Sequence, residues 1–288
     1  MPVFFILAGY TFRPKPWREL LSGSVSRLLV PYVVLALAWH VPTFLMSGAP
    51  LTGGTLVAGL ETIAFASGVD VPGLGVTAVG MAWFLAALFT SRLLFNALML
   101  LFDARELGVV CQGVACTVIA FCGLSVSRLL GAYLPLDLDL SCYIVLLMWA
   151  GYTVRHRGLE PSVDKPLLFI GSGVVWLVFA ALSGLELSSR RVDGFVLASI
   201  AALAGSYSVA WVSMAIEKMK GMPILGAFER GLVFCGRASL AIFAIHAVDW
   251  FIPWQTMPLF MTLPVSWLFA SFVRCACDIG LAYVIKKA

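Results

Sequence analysis

Charge is scarce in this chain. Of its 288 residues only 12% are Asp, Glu, Lys or Arg, whereas 61% are hydrophobic, and the mean hydropathy is +0.99. Soluble domains carry roughly 25% charged residues. A water-soluble core of this length cannot hide so much apolar surface. A soluble globular enzyme and a disordered chain are therefore excluded, and an all-α integral membrane protein is the class that fits. Paired cysteines are also missing. The seven, at 111, 116, 122, 142, 235, 275 and 277, form no Cys-x-x-Cys and lie in apolar runs. That pattern fits small hydrophobes inside membrane helices, not a disulfide scaffold or a metal site. There is no basic soluble surface interleaved with aromatics, so nucleic acid is not an expected partner. No repeat of 20–50 residues and no soluble segment stands out, so residues 1–288 read as one polytopic domain.

Apolar runs near the length that spans a bilayer occur at 28–46, 80–102, 107–125, 139–154, 166–184, 194–216, 231–252 and 264–285. A ninth, Met1 to Phe12, is apolar but short, and has neither the basic start nor the cleavage site of a signal peptide. About nine membrane helices are expected. The loops alternate in charge. One set holds Arg13, Lys15, Arg18, Arg27, Arg105, Arg155, Arg157, Lys165, Lys218, Lys220, Arg230, Lys286 and Lys287; the other holds only Arg128, Arg190 and Arg191. The positive-inside rule puts the first set, and with it the C-terminus, in the cytoplasm. Loops 47–79, 126–138 and 185–193 then face outward. The first of these is Gly-rich, moderately apolar and too long for a tight connection, as expected of a re-entrant or surface-lying segment.

Ionisable residues within spans cost about 2.5–3.5 kcal/mol each on insertion scales, so they are the candidates for work. Arg92, Arg237 and Arg274 are such residues, as are His246 and Asp278. Each arginine also fits a structural pair or a snorkelling side chain, and Arg274 with Asp278 has the i,i+4 spacing of a self-neutralising pair. Ser239, Phe243 and His246 fall on one helix face, with Asp249 three residues further on. A histidine oriented by a carboxylate is the usual general base; the same residues also fit a structural pair near the outer surface. His40 beside Trp39 reads as interfacial, and His156 as a solvated loop residue. The basic loop around Arg13 to Arg27 fits either anionic lipid headgroups or the phosphates of a nucleotide-like donor.

Five segments in order resemble one known family. Met1-Pro2-Val3-Phe4-Phe5-Ile6-Leu7-Ala8-Gly9-Tyr10 resembles its "MPxFFxxSGY" helix, and Arg27-Leu28-Leu29-Val30-Pro31-Tyr32 its "RLLxPY". Trp83 to Phe89 resembles "WFLxxLF", and Leu134-Pro135 through Gly151-Tyr152 a helix ending in "GY" before a basic loop. Gly236-Arg237-Ala238-Ser239-Leu240 to His246 resembles "GxxSLxIYxxH". The family is acyltransferase family three, membrane O-acyltransferases of the fucose-4-O-acetylase type. The resemblance implies ten membrane helices in a bacterial-type inner membrane. It also implies transfer of an acetyl or other acyl group from cytoplasmic acyl-CoA to a hydroxyl of an envelope glycan or lipid-linked sugar, with no metal.

Two departures stand out. The family's first helix, with a basic residue and a histidine treated as catalytic, has no counterpart here, so this chain as written is expected to bind poorly and not to turn over; full activity in it would make His246 the leading candidate for the base. Ser24 also replaces the first arginine of an "RxxR" pair, leaving Arg27. The implied roles are His246 and Asp249 in catalysis, with Arg27, Arg92, Arg237, Ser239 and Arg274 binding substrate or donor. The intramembrane charges fit a transporter or flippase of an envelope precursor equally well, with acyl-CoA dependence as the discriminator; an inactive truncated paralogue or a regulatory membrane domain are further alternatives.

Overall fold

The computed structural model describes every residue except 49, 72–74, 131–132, 250–251, 253–265 and 288; the side chains of 130, 223–224, 248–249, 266–267 and 287 lie outside the description as well. The chain divides into two compact units, Met1–Ala215 and Ile216–Ala288.

Helices dominate, as hydrophobic composition and the need to satisfy every backbone amide inside lipid require. In the first unit, α1 (Pro2–Tyr10) is followed by α2 (Trp17–Ser24), which runs through a π turn at Val25–Leu29 into α3 (Val30–Ser47). Then come α4 (Gly53–Phe65), α5 (Trp83–Ala104), α6 (Val109–Leu130), α7 (Leu138–His156) and α8 (Pro166–Leu182). A short antiparallel hairpin, β1 (Gly184–Glu186) and β2 (Arg191–Asp193), leads to α9 (Phe195–Lys218). The second unit holds α10 (Pro223–Arg237), α11 (Ser239–Asp249) and α12 (Ser266–Lys287). Six described stretches are long and apolar enough to cross a bilayer: Trp17–Ser47, Gly80–Ala104, Val109–Leu129, Pro135–His156, Phe195–Lys218 and Leu268–Lys286. The all-α membrane class expected from composition is therefore observed.

Two expectations change in detail. The long loop 47–79 contains a true helix, α4, started by a capping box in which Thr52 and Thr55 bond each other's backbone and side chain. The apolar run 231–252 is not one helix. The ladder closes with the Ala238 N–H on the Phe234 carbonyl and restarts with the Ile242 N–H on the Ala238 carbonyl, so α10 and α11 are separate.

The core of the first unit is built from α1, α5, α6 and α7, with Phe5, Phe95, Leu140, Tyr143 and Met148 buried. Glycines let the backbones touch. A Cβ on Gly9 would lie 1.9 Å from the Met148 carbonyl oxygen, and one on Gly151 would lie 1.9 Å from that of Ile6. Without a hydrophobic drive between helices in lipid, such close packing supplies the association. The opposite face of α6, with Val110, Val114, Val118 and Phe121, is exposed and apolar, as a lipid-facing stripe must be.

The two sets of loops separate to opposite ends of this unit. At one end Arg190 links three connections: it pairs with Asp137, lies 2.9 Å from Asp139 Oδ2, and donates to Ser67 Oγ at 3.5 Å. Its guanidinium sits 3.6 Å from the Tyr133 ring centroid. At the other end Arg155 donates to the Tyr10 carbonyl at 3.1 Å, and the Tyr10 hydroxyl to Glu160 at 3.2 Å.

Candidate functional site

Within the first unit, two of the arginines singled out from sequence stand on the π turn and on the helix it packs against. That turn, Val25–Leu29, packs on α5 and carries Arg27 on its exposed side. A π segment widens the helix by one residue and often marks a functional position. Arg92 comes from the middle of α5, and the two guanidinium groups lie close enough for Arg27's charge to act on Arg92. Among the described residues neither has an ion-pair partner. The Arg92 Nε is buried without a hydrogen-bond partner, and its guanidinium carbon lies 5.7 Å from the Phe12 ring centroid. One turn on, Asn96 is fully buried and clamps the backbone of Lys15, accepting from its N–H at 3.0 Å and donating to its carbonyl at 3.1 Å. The basic segment after α1 is thus folded in against α5 near Arg92. Like charges repel, and an anion between them would reverse the sign of that interaction.

Within the second unit, α11 and α12 bring together His246, Arg274 and Asp278. His246 Nδ1 lies 2.7 Å from Asp278 Oδ2, and Arg274 Nη2 donates to the His246 carbonyl at 3.4 Å. Asp278 is buried and His246 half-buried. The carboxylate described on the imidazole therefore comes from α12. Asp249, which spacing offered for that place, has its side chain outside the described residues. Sequence reasoning saw Asp278 only as a local partner of Arg274; the contact with His246 spans 32 positions and carries no local spacing signal.

Arg237 and Ser239 lie at the other end of α11. Arg237 closes α10, and its carbonyl accepts from Lys286 Nζ at 2.7 Å; Ser239 opens α11 and is exposed. Measured along the helices, the histidine lies about 10 Å from Ser239 and the aspartate about 12 Å from Lys286. Along α11 and α12 the pair therefore stands about two turns from the ends at Ser239 and Lys286.

The buried Arg190–Asp137–Asp139 group was not legible as a cluster, since Arg190 stands in the β1–β2 turn 53 positions from Asp137, and Asp139 opens α7. Among the described residues no three His, Cys, Asp or Glu side chains are grouped to hold a metal.

The profile of acyltransferase family 3, described as an acyltransferase domain, matches residues 1–279. The chain belongs to acyltransferase family 3. No curated protein and no solved structure matches it. In this family member the matched region takes in both clusters: Arg27 and Arg92 in the first unit, and His246, Arg274 and Asp278 in the second. It is a membrane protein of an acyltransferase family, and an acyl donor and an acyl acceptor are its partners in general terms.

Proposed function

We propose that this protein transfers an acetyl or related acyl group from cytoplasmic acyl-CoA to a hydroxyl of an envelope glycan or lipid-linked sugar, in a bacterial-type inner membrane with its C-terminus in the cytoplasm. The observation that carries this reading is the 2.7 Å contact between His246 Nδ1 and Asp278 Oδ2 in a member of an acyltransferase family. A carboxylate on Nδ1 sets the tautomer with its lone pair on Nε2 and stabilises the imidazolium that forms when Nε2 takes a proton.

The chemistry balances without a metal. The acceptor hydroxyl oxygen attacks the thioester carbonyl carbon as His246 takes its proton. The tetrahedral intermediate collapses, the C–S bond breaks, and the CoA sulfur leaves as a thiol after receiving that proton. Arg274 supplies positive charge for the developing oxyanion. Arg27 and Arg92 hold the phosphates of the donor, whose negative charge relieves their mutual repulsion. Arg237 and Ser239, at the opening of α11, contact substrate as it approaches.

The test is turnover of acyl-CoA by His246→Ala and Asp278→Asn. His246→Ala should slow release of free CoA by about 10²–10⁴, the usual worth of a principal base. Asp278→Asn should slow it by a smaller factor with the Michaelis constant for acyl-CoA little changed, because the residue orients the base and does not hold the donor. Wild-type rates in both variants would remove the dyad from the mechanism.

A further inference from the structure

Helix α10 belongs neither to the packed core of the first unit nor to the dyad. Helix α10 has 15 residues, about 22 Å of rise against a hydrocarbon core of roughly 30 Å. Glu229 and Arg230 stand at its centre, and each charge there would cost about 2.5–3.5 kcal/mol in a spanning position. Its basic and apolar residues are separated around the axis, with Glu229 at the edge of the apolar side. At 100° per residue Leu225, Phe228, Leu232 and Cys235 share one face, and Arg230 and Arg237 share the opposite one. Phe228 is 54% exposed and Leu232 46%. On the same side as these arginines, Phe234 packs on α12: its ring lies 5.5 Å from that of Tyr283 and 5.9 Å from Lys286 Nζ. The end of α10 is thereby tied to the basic end of α12, where Lys286 also reaches the Arg237 carbonyl.

We infer that α10 lies in the plane of the membrane surface and docks on anionic phospholipid headgroups. A short helix with an uncovered apolar face, a basic opposite face and charge at its centre has the pattern of an interfacial helix. Leu225, Phe228 and Leu232 enter the acyl boundary, while Arg230, with Lys220 just before the helix, faces headgroup phosphates. Among the described residues Lys220 pairs with exposed Glu217 at 3.8 Å, and such exposed pairs are weak. The net sign of the local charge selects an anionic leaflet over a neutral one. This inference does not depend on the acyl-transfer reading.

Two measurements on the full chain test it. Spin labels at Leu225→Cys, Phe228→Cys, Arg230→Cys and Leu232→Cys, on a background with native cysteines replaced, are compared in phosphatidylcholine vesicles containing phosphatidylglycerol. The three apolar positions should favour oxygen over a nickel chelate to the same degree, and position 230 should favour the chelate. A depth that rises steadily along the helix would make α10 part of a span. Chelate access at all four positions would leave it in water, and label–label broadening would make a second copy the occupant; each overturns the proposal. Independently, retention of phosphatidylglycerol by the purified protein is measured by native mass spectrometry. Lys220→Gln and Arg230→Gln should each weaken it about fivefold. Unchanged retention in the double variant would overturn the anionic-lipid assignment.

Discussion

At Arg92 the problem of a membrane protein is posed by one side chain. A guanidinium in the middle of α5 has an aromatic ring near it, a buried Nε without a partner, and the charge of Arg27 acting on it. A purely structural arginine would be neutralised by a carboxylate; among the described residues this one is not. Charge-assisted hydrogen bonds to phosphate are worth about 1.5–3 kcal/mol each. Arg27→Ala and Arg92→Ala should therefore each weaken acyl-CoA binding about ten- to hundredfold in calorimetry. Arg92→Met should also leave thermal stability unchanged or raise it, because it removes a repelling buried charge. Loss of stability with unchanged donor affinity would make the arginines structural. Both residues were legible in sequence, Arg92 because charge in an apolar run is conspicuous and Arg27 because it sits in a motif. Their proximity was not legible, because it depends on how the π turn packs against α5. The same holds for His246: its carboxylate was expected from the next turn of its own helix, whereas the described one comes from α12.

Among elements, the pairing of α1 with α7 explains why two Gly-Tyr dipeptides recur at the ends of apolar runs. Gly9 and Gly151 are the points of backbone contact, and the tyrosines that follow meet the polar end: Tyr10 bonds Arg155 and Glu160, and Tyr152 stacks on His156 at 3.8 Å. Gly151→Leu should separate the helices and lower the thermal midpoint in detergent by several degrees, whereas leucine at exposed Gly171, which meets open space, should not. Equal midpoints would deny the crossing. Helix positions were readable from hydropathy because long apolar runs are unambiguous in lipid. The break at Ala238 was not, since the run of apolar residues continues across it and only the hydrogen-bond ladder reveals it. Helix α4 was also hidden inside a loop that glycine and proline made look irregular. The Arg190 group adds an ionic tie between loops. Arg190→Ala would leave two buried carboxylates without their cation and should cost about 3–5 kcal/mol. Arg190→Met combined with Asp137→Asn and Asp139→Asn should recover much of the loss in thermal unfolding, and failure to do so would show that the charges themselves are not the issue.

For the whole molecule, composition sufficed for the class and the alternation of basic loops for a topology. The structure gathers residues of the three charge-poor loops at Arg190; that these loops face outward is the proposal the positive-inside rule supports. Ser188→Cys should then react with an impermeant maleimide in intact cells, and reaction only after permeabilisation would invert the topology. The central claim is acyl transfer and not transport, although intramembrane charge alone serves both. The most direct measurement supplies purified protein in vesicles with acyl-labelled acyl-CoA and an envelope glycan or lipid-linked sugar, and follows label and acceptor together. The account predicts an ester on the acceptor, free CoA in equal amount, and loss of both in His246→Ala. Movement of unmodified acceptor across the bilayer, independent of acyl-CoA and insensitive to His246→Ala, would contradict it.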